Sequence, residues 1–146
     1  LALAADFTIA AADAPFGQPF VPRGFTPDSG ASWILPRLIG VARAKELLML
    51  GEKIDGARAA EWGMIYRSVP EEMLEDASTA LLRRLANEAT IAVGLTKRSI
   101  QSGLHESLVE TMATEAFALD LSSRTEDFRE GLASFRERRK PEFKGR

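Results

Sequence analysis

Four of the chain's seven prolines fall within the fifteen residues from Asp13 to Pro27, together with Gly17 and Gly24. Proline has no backbone N–H to donate and fixes its own φ, so this stretch cannot be helical throughout. From Glu71 to Lys140 there is no proline at all. The chain is therefore expected to divide into a strand-and-loop portion, residues 1–70, and a helical portion, residues 71–146, with no linker between independent domains.

Hydrophobic periodicity fills in the elements. Phe7 to Ala11 is a short apolar run expected to be a strand. From Ser29 the pattern turns helical, with Trp33, Ile34, Leu35 and Leu38 apolar, and Pro36 is expected to kink or end that helix early. Ala42 to Leu50 reads as a helix with Gly51 just past its end, and Asp55 and Gly63 read as the N-cap and C-terminal residue of a short helix. Met64 to Val69 alternates as a strand does. Glu71 to Asn87 is amphipathic, acidic early and basic late as the helix dipole favours. Thr90 is expected to cap a helix running to Ser102. Ser107 with Glu110 forms a capping-box pattern for a helix to about Leu121, and Ser123 with Glu126 repeats it for a last helix, Arg124 to Arg139, stopped by Pro141.

Composition removes whole classes of chemistry. There is no cysteine, so thiol catalysis, disulfides and cysteine metal sites are excluded, and the lone His105 is expected to be solvated. A net charge of −2 supplies no basic stripe for nucleic acid. No apolar run approaches the roughly 20 residues that span a bilayer, and no leader pattern precedes a cleavage site, which predicts a cytoplasmic or organelle-matrix protein. The opening, Leu1 to Ala11, lacks Met and reads like the interior of an element, so a truncated start is expected.

One carboxylate stands out. Asp28 lies between the Pro-rich loop and an apolar helix, where it is either a helix cap or a proton-transfer group. The neighbouring Phe20, Phe25 and Trp33 read either as core or as pocket lining. Arg136, Arg138, Arg139 and Lys140 read either as a solvated helix end or as a phosphate-binding cluster, since arginine suits phosphate and also stacks on aromatic planes.

The ordered motifs Phe16-Gly17-Gln18-Pro19, Gly24-Phe25-Thr26-Pro27-Asp28-Ser29-Gly30 and Leu35-Pro36-Arg37-Leu38-Ile39-Gly40 resemble the crotonase family, the enoyl-CoA hydratase/isomerase superfamily. Leu50-Gly51-Glu52-Lys53-Ile54, Ala60-Glu61-Trp62-Gly63-Met64-Ile65 and Arg129-Glu130-Gly131 through Phe135 to Phe143 continue the resemblance over nearly the whole chain. It implies an α/β fold class, here the C-terminal part of a crotonase ββα spiral followed by a helical trimerisation region. It also implies that one oxyanion-hole N–H comes from a preceding half of the fold, and the other from a Gly-rich turn just before Leu1. In this superfamily those two groups stabilise a thioester enolate.

The same resemblance assigns roles. The hydratases carry a glutamate where this chain has Phe20, which counts against simple water addition, and normally a glycine where it has Asp28. The segment Pro27 to Trp33 is similar to the 1,2-epoxyphenylacetyl-CoA isomerase-like subgroup, and a dehalogenase of the superfamily uses an aspartate at the matching position as nucleophile. An acyl-CoA isomerase with Asp28 as acid and base is therefore expected, with an enoyl-CoA hydratase and a non-catalytic acyl-CoA-binding subunit as alternatives. Phe20, Phe25 and Trp33 would line the acyl pocket. Phe135 and Arg138 match positions that touch the adenine and phosphate end of CoA across a subunit boundary. The CoA thioester is the substrate, no metal or cofactor is implied, and a homotrimer or dimer of trimers is expected.

Overall fold

The first strand, β1 (Ile9–Ala11), is the apolar run near the start of the chain, in a computed structural model that describes residues 2–146. The Pro-rich segment then contributes only β2 (Phe16–Gly17) and a 3-10 turn at Val21–Arg23. Helix α1 (Ala31–Lys45) follows and runs into a π-helical turn, Glu46–Leu50. Next come β3 (Lys53–Ile54), α2 (Gly56–Glu61) and β4 (Arg67–Val69). β1 pairs in parallel with β4, Ala10 opposite Ser68, and β2 pairs antiparallel with β3, Phe16 opposite Ile54. Parallel partners need a long crossover between them, and here α1, β3 and α2 provide it.

The crossover also builds the core of this first unit, which extends to Thr79. Ala10 from β1, Leu35, Ile39 and Ala44 from α1, Leu47 and Leu48 from the π turn, Ala59 from α2, and Met64 and Ile65 form one buried cluster. Leu47 is fully enclosed, and truncating such a side chain to alanine costs ~2–5 kcal/mol. Helix α2 approaches β1 so closely that a Cβ on Gly56 would overlap the carbonyl oxygen of Ala11. The contact is fixed by Ala57 N–H donating to the Ala12 carbonyl at 2.9 Å.

Two expectations for this unit are corrected. Pro36 lies inside α1 without ending it, and the helix instead breaks at Gly40, whose φ 77° and ψ 162° lie in a region open essentially to glycine alone. A proline removes one hydrogen bond from the ladder, whereas this glycine redirects the backbone. The strand expected from Met64 begins only at Arg67, because Met64 and Ile65 close the turn after α2 by donating to the Ala59 carbonyl. Asp55 does cap α2, accepting Arg58 N–H at 2.8 Å.

The remaining helices are α3 (Leu74–Ala86), α4 (Thr90–Gly103), α5 (Leu108–Ser123) and α6 (Glu126–Glu137). The sequence boundary lay after residue 70; the compact units part between Thr79 and Ala80, within α3. In the second unit α4 and α5 pack as a hairpin and α5 meets α6. Ser107 and Glu110 form the expected capping box, and the bonds from Ser107 hold the Glu110 carboxyl below its ordinary value. Thr90 is the first helical residue rather than a cap, and the last helix is capped by Thr125, which accepts Phe128 N–H at 3.1 Å. The Ser123 pattern fails because α5 runs through Ser123, leaving Thr125 as the first hydroxyl outside it. Among the described residues no helix is long and apolar enough to cross a membrane.

Candidate active site

A two-part turn delivers Asp28. In its first part the N–H groups of Arg23 and Phe25 both donate to the Phe20 carbonyl, at 2.9 and 3.3 Å. This doubling back sets the Phe20 and Phe25 rings edge to face with centroids 5.6 Å apart, the arrangement their quadrupoles favour. In its second part Ser29 and Gly30 both adopt left-handed backbone, with φ 50° and 78°, before α1 begins. For a residue with a side chain, as at Ser29, that conformation costs roughly 1–2 kcal/mol.

The helix-cap reading of Asp28 does not hold. Gly30 occupies the N-cap of α1, and no side chain accepts a hydrogen bond there. A capping carboxylate must stand directly before the first helical residue, and here two left-handed residues intervene. Only the Asp28 carbonyl is engaged, accepting Ala31 N–H at 2.9 Å. Its carboxylate is exposed and makes no hydrogen bond or ion pair among the described residues.

The aromatic residues are not core. Phe25 and Trp33 are 49% and 44% exposed, and Phe20 is half-buried against Phe25. Trp33 lies in the first turn of α1, where the Arg37 guanidinium covers its ring at 3.9 Å from the centroid and donates to its carbonyl at 3.0 Å. Arg37 drew no role in the sequence, although a Trp and an Arg four residues apart on a helix share a face. The structure thus brings Phe20 to Phe25 and fixes Trp33 through Arg37. No hydrogen bond joins the Asp28 carboxylate to any of them.

The other sequence candidates belong to the second unit. Phe135 is 84% exposed near the end of α6. Arg138 closes that helix in left-handed backbone, φ 54° and ψ 38°, its N–H directed to the Phe135 carbonyl. Beyond it the chain turns back along α6. Arg139 grips both carboxylate oxygens of Glu130, and Glu142 N–H donates to the same carboxylate at 2.9 Å. Buried Asp127 accepts the N–H groups of Lys144 at 2.7 Å and Gly145 at 2.8 Å. The Arg139 guanidinium, with the Glu142 N–H behind it, pulls the Glu130 carboxyl from 4.5 down to about 2. Glu130 and Glu137 in turn push Arg139 up.

Asp127 and Glu130 drew no role from the sequence because their partners lie nine to eighteen residues ahead in a non-repeating tail. Only Pro141, just past the helix, marks a change of direction. Among the described residues no cluster of His, Asp and Glu is placed to hold a metal ion.

Comparison with known proteins adds to this geometry. A model of the enoyl-CoA hydratase/isomerase family matches residues 1–146. The chain is 40% identical to 1,2-epoxyphenylacetyl-CoA isomerase of Escherichia coli (strain K12), over 100% of its own length and 56% of the relative's. It is 38% identical to crotonyl-CoA hydratase of Syntrophomonas wolfei, over 98% of its length and 55% of the relative's. The crystal structure of an enoyl-CoA hydratase from Bacillus anthracis superposes with a TM-score of 0.93 at 38% identity, covering 99% of this chain and 56% of that one. The chain therefore spans a little over half the length of these three proteins, and its fold is part of theirs.

Proposed function

Because the chain belongs to the enoyl-CoA hydratase/isomerase family, we propose that the whole protein is an acyl-CoA isomerase in which Asp28 moves the proton. The carboxylate takes a proton from one carbon of the acyl group, leaving an enolate on the thioester, and returns it to another carbon. The atoms of the acyl group are conserved. Backbone N–H groups aimed at the enolate oxygen would supply the largest electrostatic contribution.

The observation that carries this reading is the unengaged, exposed carboxylate of Asp28, raised on a turn where Ser29 holds a left-handed conformation. Strain in a residue beside a chemically competent group is a mark of functional sites. Phe20, at the position where the resemblance places a hydratase glutamate, cannot transfer protons.

Phe135 and Arg138 would meet the nucleotide end of CoA, supported by the exposure of the ring and by a guanidinium that no described residue engages. Assembly as a homotrimer or dimer of trimers is supported by apolar side chains left exposed on α5, among them Leu108 and Val109 at 76% each.

Hydration is the second reading, favoured by the near-equal identity to the hydratase and to the isomerase, 38% against 40%. The two separate cleanly in water labelled with heavy oxygen. Isomerisation leaves the mass of an enoyl-CoA thioester unchanged, whereas hydration adds one labelled water to the product.

A further inference from the structure

We propose that Asp127, Glu130 and Arg139 form a clasp that holds Arg138 in position for the CoA nucleotide, so that breaking the clasp weakens CoA binding without touching the chemistry. The inference rests on the reading of Arg138 as a CoA contact.

Arg138 and Ser29 are the two non-glycine residues with positive φ among the described residues. Glycine is the usual occupant of a left-handed helix end, and arginine there is strained. Such a conformation persists only when its surroundings over-determine it. Here the next residue, Arg139, is tied back to Glu130 on the previous turns of α6, its Nη2 2.8 Å from Oε2. The backbone of Arg139 is fixed as well, donating to the Ser134 carbonyl at 3.1 Å. Farther along, Asp127 accepts two successive tail N–H groups, and the Phe143 ring lies over Gly131. The tail thus returns along the helix and is pinned at both ends, while the Arg138 side chain makes no hydrogen bond or ion pair among the described residues.

Glu130 and Arg139 are positioning residues in this account; they touch each other and the tail, not the ligand. If releasing the clasp leaves Arg138 correctly placed in about a tenth of molecules, the apparent dissociation constant rises about tenfold.

The test titrates free CoA into the whole protein and into its variants Arg138→Gly, Glu130→Gln, Arg139→Gln and the double variant Arg138→Gly/Glu130→Gln, with the melting temperature of each recorded. Arg138→Gly is expected to weaken CoA while leaving the melting temperature equal or higher, since glycine relieves the strain. Glu130→Gln and Arg139→Gln should each weaken CoA about tenfold with kcat on a CoA ester unchanged. In the Arg138→Gly background Glu130→Gln should lower the melting temperature but cost no further affinity. A purely structural clasp would move affinity equally in both backgrounds or not at all, and either result overturns the proposal while the CoA role of Arg138 stands. If Arg138→Gly itself binds CoA like wild type, both fall together. Should Glu130→Gln fail to fold, Arg139→Lys, which keeps the charge and loses the two-pronged grip, replaces it with the same outcomes.

Discussion

The guanidinium of Arg37 lies 3.9 Å over the indole of Trp33 and ties the same residue's carbonyl at 3.0 Å, so one side chain fixes both the ring and the backbone of the turn that follows Asp28. Arg37→Leu is expected to free the indole while leaving the core intact, at a cost of ~0.5–1 kcal/mol from the lost cation–π contact. Trp33 emission, read in a Trp62→Phe background, should shift to the red and become more accessible to a neutral quencher. An unchanged spectrum would mean that the ring is held by something else.

A second prediction concerns the closest approach in the first unit. Gly56→Ala forces a methyl group against the Ala11 carbonyl, which belongs to backbone and cannot swing away. Thermal unfolding should show a loss of ~3 kcal/mol, in the range of overpacked cores. Ala57→Gly, one residue on and exposed, should cost ~1 kcal/mol or less from helix propensity alone.

The third prediction is a pH dependence. Glu130 is held at about 2 from an ordinary 4.5 by the Arg139 guanidinium and the Glu142 N–H. A carboxyl with a depressed folded-state value stabilises fully above its unfolded value, and that stability drains away as pH falls toward the folded one. The tail should therefore loosen progressively between about pH 4.5 and pH 2, visible as a lower protection factor, relative to the intrinsic exchange rate at each pH, for the Glu142 amide that donates to Glu130. Glu130→Gln should remove the part of this slope that belongs to Glu130, and an unaltered slope would contradict the assignment.

Local signals were legible in the sequence where the chemistry is local. The Ser107–Glu110 capping box, the Asp55 cap and the Gly51 helix end each depend on residues within one turn of each other, and all three are present. Competing local signals were misranked. Pro36 is a stronger helix breaker than Gly40 by composition, yet a break requires a residue able to turn the backbone, and only Gly40 can reach φ 77° with ψ 162°. The Ser123 pattern pointed to a cap two residues too early, and the length of α5 leaves Thr125 to cap the last helix.

The site divides in the same way. Asp28 was identifiable as the candidate carboxylate, but whether it capped α1 depended on Ser29 and Gly30 turning left-handed together, which no single residue announces. The Glu130–Arg139 grip closes over nine residues of irregular chain and has no period to find.

The most direct test of the account is the turnover of Asp28→Asn in the whole protein with an enoyl-CoA or epoxyacyl-CoA thioester, measured beside its affinity for the same ester. The Asn side chain keeps the size of the carboxylate and cannot accept the proton, and since Asp28 caps no helix its loss should leave the unfolding free energy within about 0.5 kcal/mol of wild type. The account predicts kcat lower by roughly 100-fold or more, with affinity for the ester within about threefold. Near-full turnover in a folded Asp28→Asn protein would contradict it and place the proton transfer on another residue.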